Sequence, residues 1–127
     1  MSPSIATLAK AVVAYQRDQS VRIVKDTDGY NYEYLSLGGL LEVIQEELAA
    51  HKLAVVQFPT SDGTMLGVVT VLLHESGEYI ESEFVMPLPG LTSANVTQMA
   101  GAAITYARRY ALTAVCRVVA DSDTDGT

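Results

Sequence analysis

Three apolar runs, residues 53–58, 65–74 and 79–86, follow one another with only short turn-forming stretches between them. Pro59-Thr60-Ser61-Asp62-Gly63 reads as a loop, and Glu75-Ser76-Gly77-Glu78 has the composition of a tight turn. Three strands in succession predict an antiparallel meander. Pro87-Leu88-Pro89-Gly90 ends it and opens an irregular connection.

Helical patterns flank the meander. Ser2-Pro3 has the form of a helix start, a serine cap with proline at the first helical position, followed by Ile5, Leu8, Ala9 and Val12 at helical spacing. This helix is expected to fade near residues 15–18. Residues 20–25 then read as a strand, Asp26-Thr27-Asp28-Gly29 as a turn, and Tyr30, Tyr32 and Tyr34 alternate as one face of a returning strand. A β-hairpin is the natural reading. Ser36 is placed to cap a second helix with an apolar stripe of Leu37, Leu40, Leu41, Ile44 and Leu48, ended by His51-Lys52. Gly38-Gly39 weakens its first turn, which tight packing against a neighbour would explain. Ser93 or Asn95 is placed to cap a last helix. Val96, Met99, Ala100, Ala103, Ala107 and Ala111 form its expected buried stripe, and Gln98, Ala102, Thr105 and Arg109 a more polar one. Residues 115–120 continue the helix or turn into a strand. The predicted class is α+β: a β-hairpin plus a three-strand meander in an antiparallel sheet, with helices on one face.

At 127 residues the chain has the length of one domain. Residues 1–120 read as that domain and 121–127 as an acidic linker, the start of a further C-terminal region. Hydrophobic residues make up 49% and charged residues 18%, which excludes disorder for most of the chain. The apolar runs are too short for a membrane span, and the first residues lack the pattern of a signal peptide. A single cysteine, Cys116, excludes an intrachain disulfide and fits a reducing cytosol. The net charge of −7 argues against a general nucleic-acid binder, unless the basic residues are placed together.

Two clusters carry basic and aromatic groups. Arg108-Arg109 is flanked by Tyr106 and Tyr110; guanidinium groups fork onto phosphates and tyrosines stack on bases, but the same residues also suit glutamate pairing and core packing. On the hairpin, Arg22 and Lys25 precede Tyr30 and Tyr32, which suits sequence-tolerant single-strand binding and equally suits a sheet packing face. Asp121, Asp123, Asp125 and Gly126 have the spacing that opens a calcium loop, against the plainer reading of a solvated linker. His51 and His74 read as surface or capping residues, Cys116 as a small buried hydrophobe, and Glu46-Glu47 and Glu81 with Glu83 as solvated pairs. No phosphate-binding glycine loop is present, so ATP dependence is not expected, and no cofactor or metal site is assigned.

The run Ile104-Thr105-Tyr106-Ala107-Arg108-Arg109-Tyr110-Ala111-Leu112, with Gln98, Gly101 and the aspartates 121, 123 and 125 before Gly126, resembles the ERF (essential recombination function) family of phage single-strand annealing proteins. Residues 30–41, 48–57 and 72–82 resemble other family segments, so the likeness spans residues 5–126. Between residues 26 and 38 it departs from the lysine-richer family pattern: Lys25 alone flanks the segment, and Glu33 lies between tyrosines.

The resemblance implies ATP-independent binding of single-stranded DNA and annealing of complementary strands. It also implies rings or helical filaments of identical subunits, and a fold similar to that of the eukaryotic recombination annealing proteins. A phage exonuclease and the host single-strand-binding protein are the implied partners, and the cytoplasm of a bacterial host the place of action. No membrane association and no bond chemistry are expected. Arg108 and Arg109 match the family run directly and lead the expected DNA contacts, with Gln98, Thr105, Lys25, Arg22, Tyr30 and Tyr32 behind them. The rival readings are a structural or oligomerisation module without DNA binding, and a calcium-binding domain at residues 121–126.

Overall fold

The computed structural model describes residues 1–25, 37–87 and 96–116, with no side-chain detail for residues 19–25 and 96. The order of elements is α1 (Ala6–Lys25), α2 (Leu37–Ala50), β1 (Leu53–Ser61), β2 (Met65–His74), β3 (Tyr79–Pro87) and α3 (Val96–Cys116). The strands form one antiparallel sheet in the order β1-β2-β3. The α+β class and the three-strand meander therefore stand.

The expected hairpin does not. Residues 20–25 are helical, forming the end of α1 rather than a strand, and the helix does not fade at residues 15–18. No glycine or proline interrupts the chain between Ala6 and Lys25, so nothing stops the helix. The other half of that hairpin, with Tyr30 and Tyr32, lies outside the described residues, as do Ser36 and residues 121–126.

The start of α1 is also built differently. Ser2 does not cap it. The Ser2 backbone N–H donates to the Tyr79 carbonyl at 3.0 Å, and its Oγ accepts from the Tyr79 N–H at 2.9 Å, so Ser2 pairs with the outer edge of β3. The first amides of α1 are capped from two places: the Leu8 N–H donates to Glu78 Oε1 of the β2–β3 turn at 2.8 Å, and the Ala6 N–H to the nearby Ser4 Oγ at 3.3 Å. A carboxylate at a helix N-terminus satisfies an orphan donor and opposes the helix dipole. Glu78→Ala is expected to cost about 1 kcal/mol. Urea denaturation measures the loss, and hydrogen exchange should locate it at the amides of residues 6–9.

Alternation along β2 separates the two faces of the sheet. Leu66, Val68, Thr70, Leu72 and His74 are buried beneath the helices. Their partners Val55, Gln57, Ile80 and Phe84 share that face. The opposite face carries Val56, Phe58, Val69, Val71, Glu81, Glu83 and Val85, with no helix over it among the described residues. The main core joins Leu8 and Tyr15 of α1, Leu40, Ile44 and Leu48 of α2, Leu53 and Leu72 of the sheet, and Leu112 and Cys116 of α3.

The strand connections are short and tightly bonded. β1 extends through Pro59 to Ser61, so the expected loop contracts to residues 62–64. Asp62 Oδ1 accepts from the Thr64 N–H at 2.8 Å, the Met65 N–H at 2.7 Å and the Thr64 hydroxyl at 2.9 Å. These donors, the Thr64 amide foremost, hold its carboxyl below the ordinary carboxylate range. At the β2–β3 turn, Gly77 adopts φ 95°, its N–H donates to the His74 carbonyl at 2.9 Å, and the His74 N–H donates to the Glu78 carbonyl at 2.9 Å. In mid-strand, Gly67 faces Val85, and a Cβ there would fall on the Phe84 carbonyl oxygen and 2.7 Å from Val85 Cα.

Candidate nucleic-acid interface

The sequence of α3 contains no acidic residue and two arginines. Its early buried positions are Ala107 and, in part, Ala100, Ala103 and Ala111, small enough to let the helix lie close over β2. Met99, expected in this stripe, is 37% exposed. Beyond Ala107 the other two helices also close in, which buries Leu112 and Cys116 on a second side. The helix ends at Cys116 among the described residues.

Arg108 and Arg109 are both half-buried and diverge around α3. Arg108 lies toward β1: its backbone carbonyl accepts from Gln57 Nε2 at 3.1 Å, and the same Nε2 donates to Thr70 Oγ1 at 3.0 Å. The Arg108 Nε is buried and has no hydrogen-bond partner among the described residues. Arg109 continues the outward stripe of Gln98, Ala102 and Thr105, all three exposed. On the β3 side, Tyr106 and Tyr110 are 56% and 54% exposed. Their rings stack at 5.7 Å between centroids and 17° between planes, and Phe84 of β3 meets Tyr110 at 5.2 Å.

Of the other expected site residues, Arg22 and Lys25 fall in the last turns of α1. Tyr30 and Tyr32 lie outside the described residues. Sequence reading passed over Gln57 and Phe84. The signal for Gln57 was one amide in an otherwise apolar strand; for Phe84 there was only its alternation within β3.

Charge is sorted by element. Lys10, Arg17, Arg22, Lys25, Arg108 and Arg109 lie on α1 and α3, whose one acid is Asp18. Glu42, Glu46 and Glu47 lie on α2, Glu75 and Glu78 at the β2–β3 turn, and Glu81 and Glu83 on β3. The net charge of −7 thus hides two basic helices.

The groups most able to do bond chemistry have structural partners. His51 Nε2 lies 3.1 Å from Asp18 Oδ2, with its ring edge-on to Tyr15. His74 Nδ1 accepts from the Ser76 N–H at 3.0 Å. Cys116 is buried, and burial pushes its thiol up to about 12. Burial likewise raises the Tyr15 phenol, whose hydroxyl donates to the Cys116 carbonyl at 2.9 Å. Among the described residues no group of His, Cys, Asp and Glu is arranged to hold a metal ion. None of the described helices is long and apolar enough to cross a membrane.

A family model, the ERF superfamily, matches residues 5–127. The chain belongs to the ERF superfamily. ERF membership assigns it to a family of phage recombination and DNA annealing rather than to a class of catalytic enzymes, and points to DNA as its partner. No curated protein and no solved structure matches the chain.

Proposed function

We propose that this chain binds single-stranded DNA along α3 and anneals complementary strands without ATP, as a ring or filament of identical subunits, in phage homologous recombination. The observation that carries the reading is α3 itself. On a chain of net charge −7, it is an acid-free helix with two arginines and two exposed tyrosines.

Arg108 supplies a physical motive. A half-buried guanidinium stays charged and can fork its outer nitrogens onto a phosphate. Contacts to the backbone position a strand without reading its sequence, which annealing requires. Arg22 and Lys25, in the last turns of the other basic helix, are further candidate backbone contacts. Gln98 and Thr105 add neutral hydrogen-bonding groups beside Arg109.

Assembly draws support from the sheet face that no helix covers among the described residues, where Phe58 and Val85 are exposed beside Val69. Repeating α3 around a ring turns a few arginines per subunit into a continuous basic track. Residues 1–120 act as the annealing and assembly unit, with 121–127 as an acidic linker. The site of action is the host cytoplasm, with an exonuclease supplying single strands and the host single-strand-binding protein competing for them.

The test mixes complementary labelled oligonucleotides with the protein, without ATP, across a salt series. Duplex formation is expected to outpace the protein-free control at low salt and to lose that advantage as salt rises. A folded protein that neither binds nor accelerates annealing would favour the reading as an assembly module without DNA.

A further inference from the structure

We propose that Tyr106, Tyr110 and Phe84 form a stacking platform for unpaired nucleobases, with Tyr106 as the ring that meets the first base. The proposal rests on the single-strand reading above and adds to it the part of the ligand that this surface takes. Aromatic side chains normally gain most of their stabilisation from burial. Here Tyr106 and Tyr110, one helical turn apart, are each more than half exposed and stack on one another. The order of the stack is Phe84, Tyr110, Tyr106. Tyr110 is flanked by a tilted Phe84 at 5.2 Å and by a nearly parallel Tyr106 at 5.7 Å. Tyr106 is therefore the end of the stack, where a further flat ring continues the pile.

Charge selects the occupant. The platform lies on the acid-free helix, and Arg109 is the immediate neighbour of Tyr110 in sequence. A polyanion with flat, unpaired rings satisfies both features at once: its phosphates meet the Arg109 guanidinium and its bases meet the tyrosines. Stacking tolerates every base, and it leaves the base edges free to test a second strand.

The experiment compares binding of the full chain to an oligothymidine and to the same oligonucleotide with abasic positions, at one salt concentration. The unmodified protein is expected to bind the intact oligonucleotide about 10-fold more tightly for each stacked base. Tyr106→Ala should remove most of that preference while leaving the melting temperature unchanged, and Tyr106→Phe should keep it. Equal, salt-sensitive binding of both oligonucleotides by the unmodified protein would overturn the platform and leave the single-strand reading standing. No binding of either, by folded protein, would overturn both. A Tyr106→Ala protein with normal base preference but smaller assemblies would assign the tyrosines to contact between copies and overturn the platform. The comparison on unmodified protein decides the matter even where a variant folds poorly.

Discussion

Gly67→Ala is expected to destabilise the fold by more than about 3 kcal/mol, although it adds one methyl group. The added Cβ would meet backbone, the Phe84 carbonyl and Val85 Cα, and backbone cannot swing aside as a side-chain tip can. Relief requires prying β3 from β2, which also disturbs the ring of Phe84 and the edge that Ser2 covers. Urea denaturation measures the loss. Gly101→Ala is the matched control: nothing lies within 4 Å of a Cβ there, and its helical position favours alanine by up to about 1 kcal/mol. A Gly67→Ala protein as stable as the parent would show that the strands can separate without penalty at this point.

The second large effect is on binding. Changing both Arg108 and Arg109 to alanine should reduce the dependence of log affinity on log salt by about 1.4, from about 0.7 per lost single-strand phosphate contact. In an assembly that loss recurs in every subunit, so annealing at moderate salt should fall to the protein-free rate. Lysine at both positions should retain much of the salt dependence but lose forked hydrogen bonding. Fluorescence anisotropy over a salt series reads both. A modest loss of stability is expected from the Arg108 change alone, because its side chain is half-buried, whereas the backbone carbonyl that anchors Gln57 remains. An unchanged slope in a folded double variant would move the DNA track away from α3.

The sheet was readable because each strand is bounded by residues with a stereochemical reason to turn. The β2 strand, for example, ends at a turn that needs Gly77 at positive φ. The end of α1 was not readable in the same way. Val21, Ile23 and Val24 favour strands locally, and only the absence of a breaker spoke for a helix. The Glu78 cap lies 70 residues from the amide it serves, so no local window contains it. On α3, the alanine stripe was visible, but Leu112 is buried because the helix is enclosed on two sides in its second half. The arginine pair stood out in sequence. That Arg108 turns toward β1 while Arg109 joins the outward stripe needed the packing register of helix on sheet. Gly67 carries no mark in the sequence, since its constraint comes from the neighbouring strand.

The seam between Tyr15 and Cys116 doubles as a built-in clock. The chain has one thiol, shut in the core and held in its protonated form, so a thiol reagent must wait for the seam to part. With no second cysteine to confuse the signal, the labelling rate counts openings between the first helix and the end of the last. Slower labelling with DNA bound would mean that holding a strand on one side of the last helix tightens the core on the other.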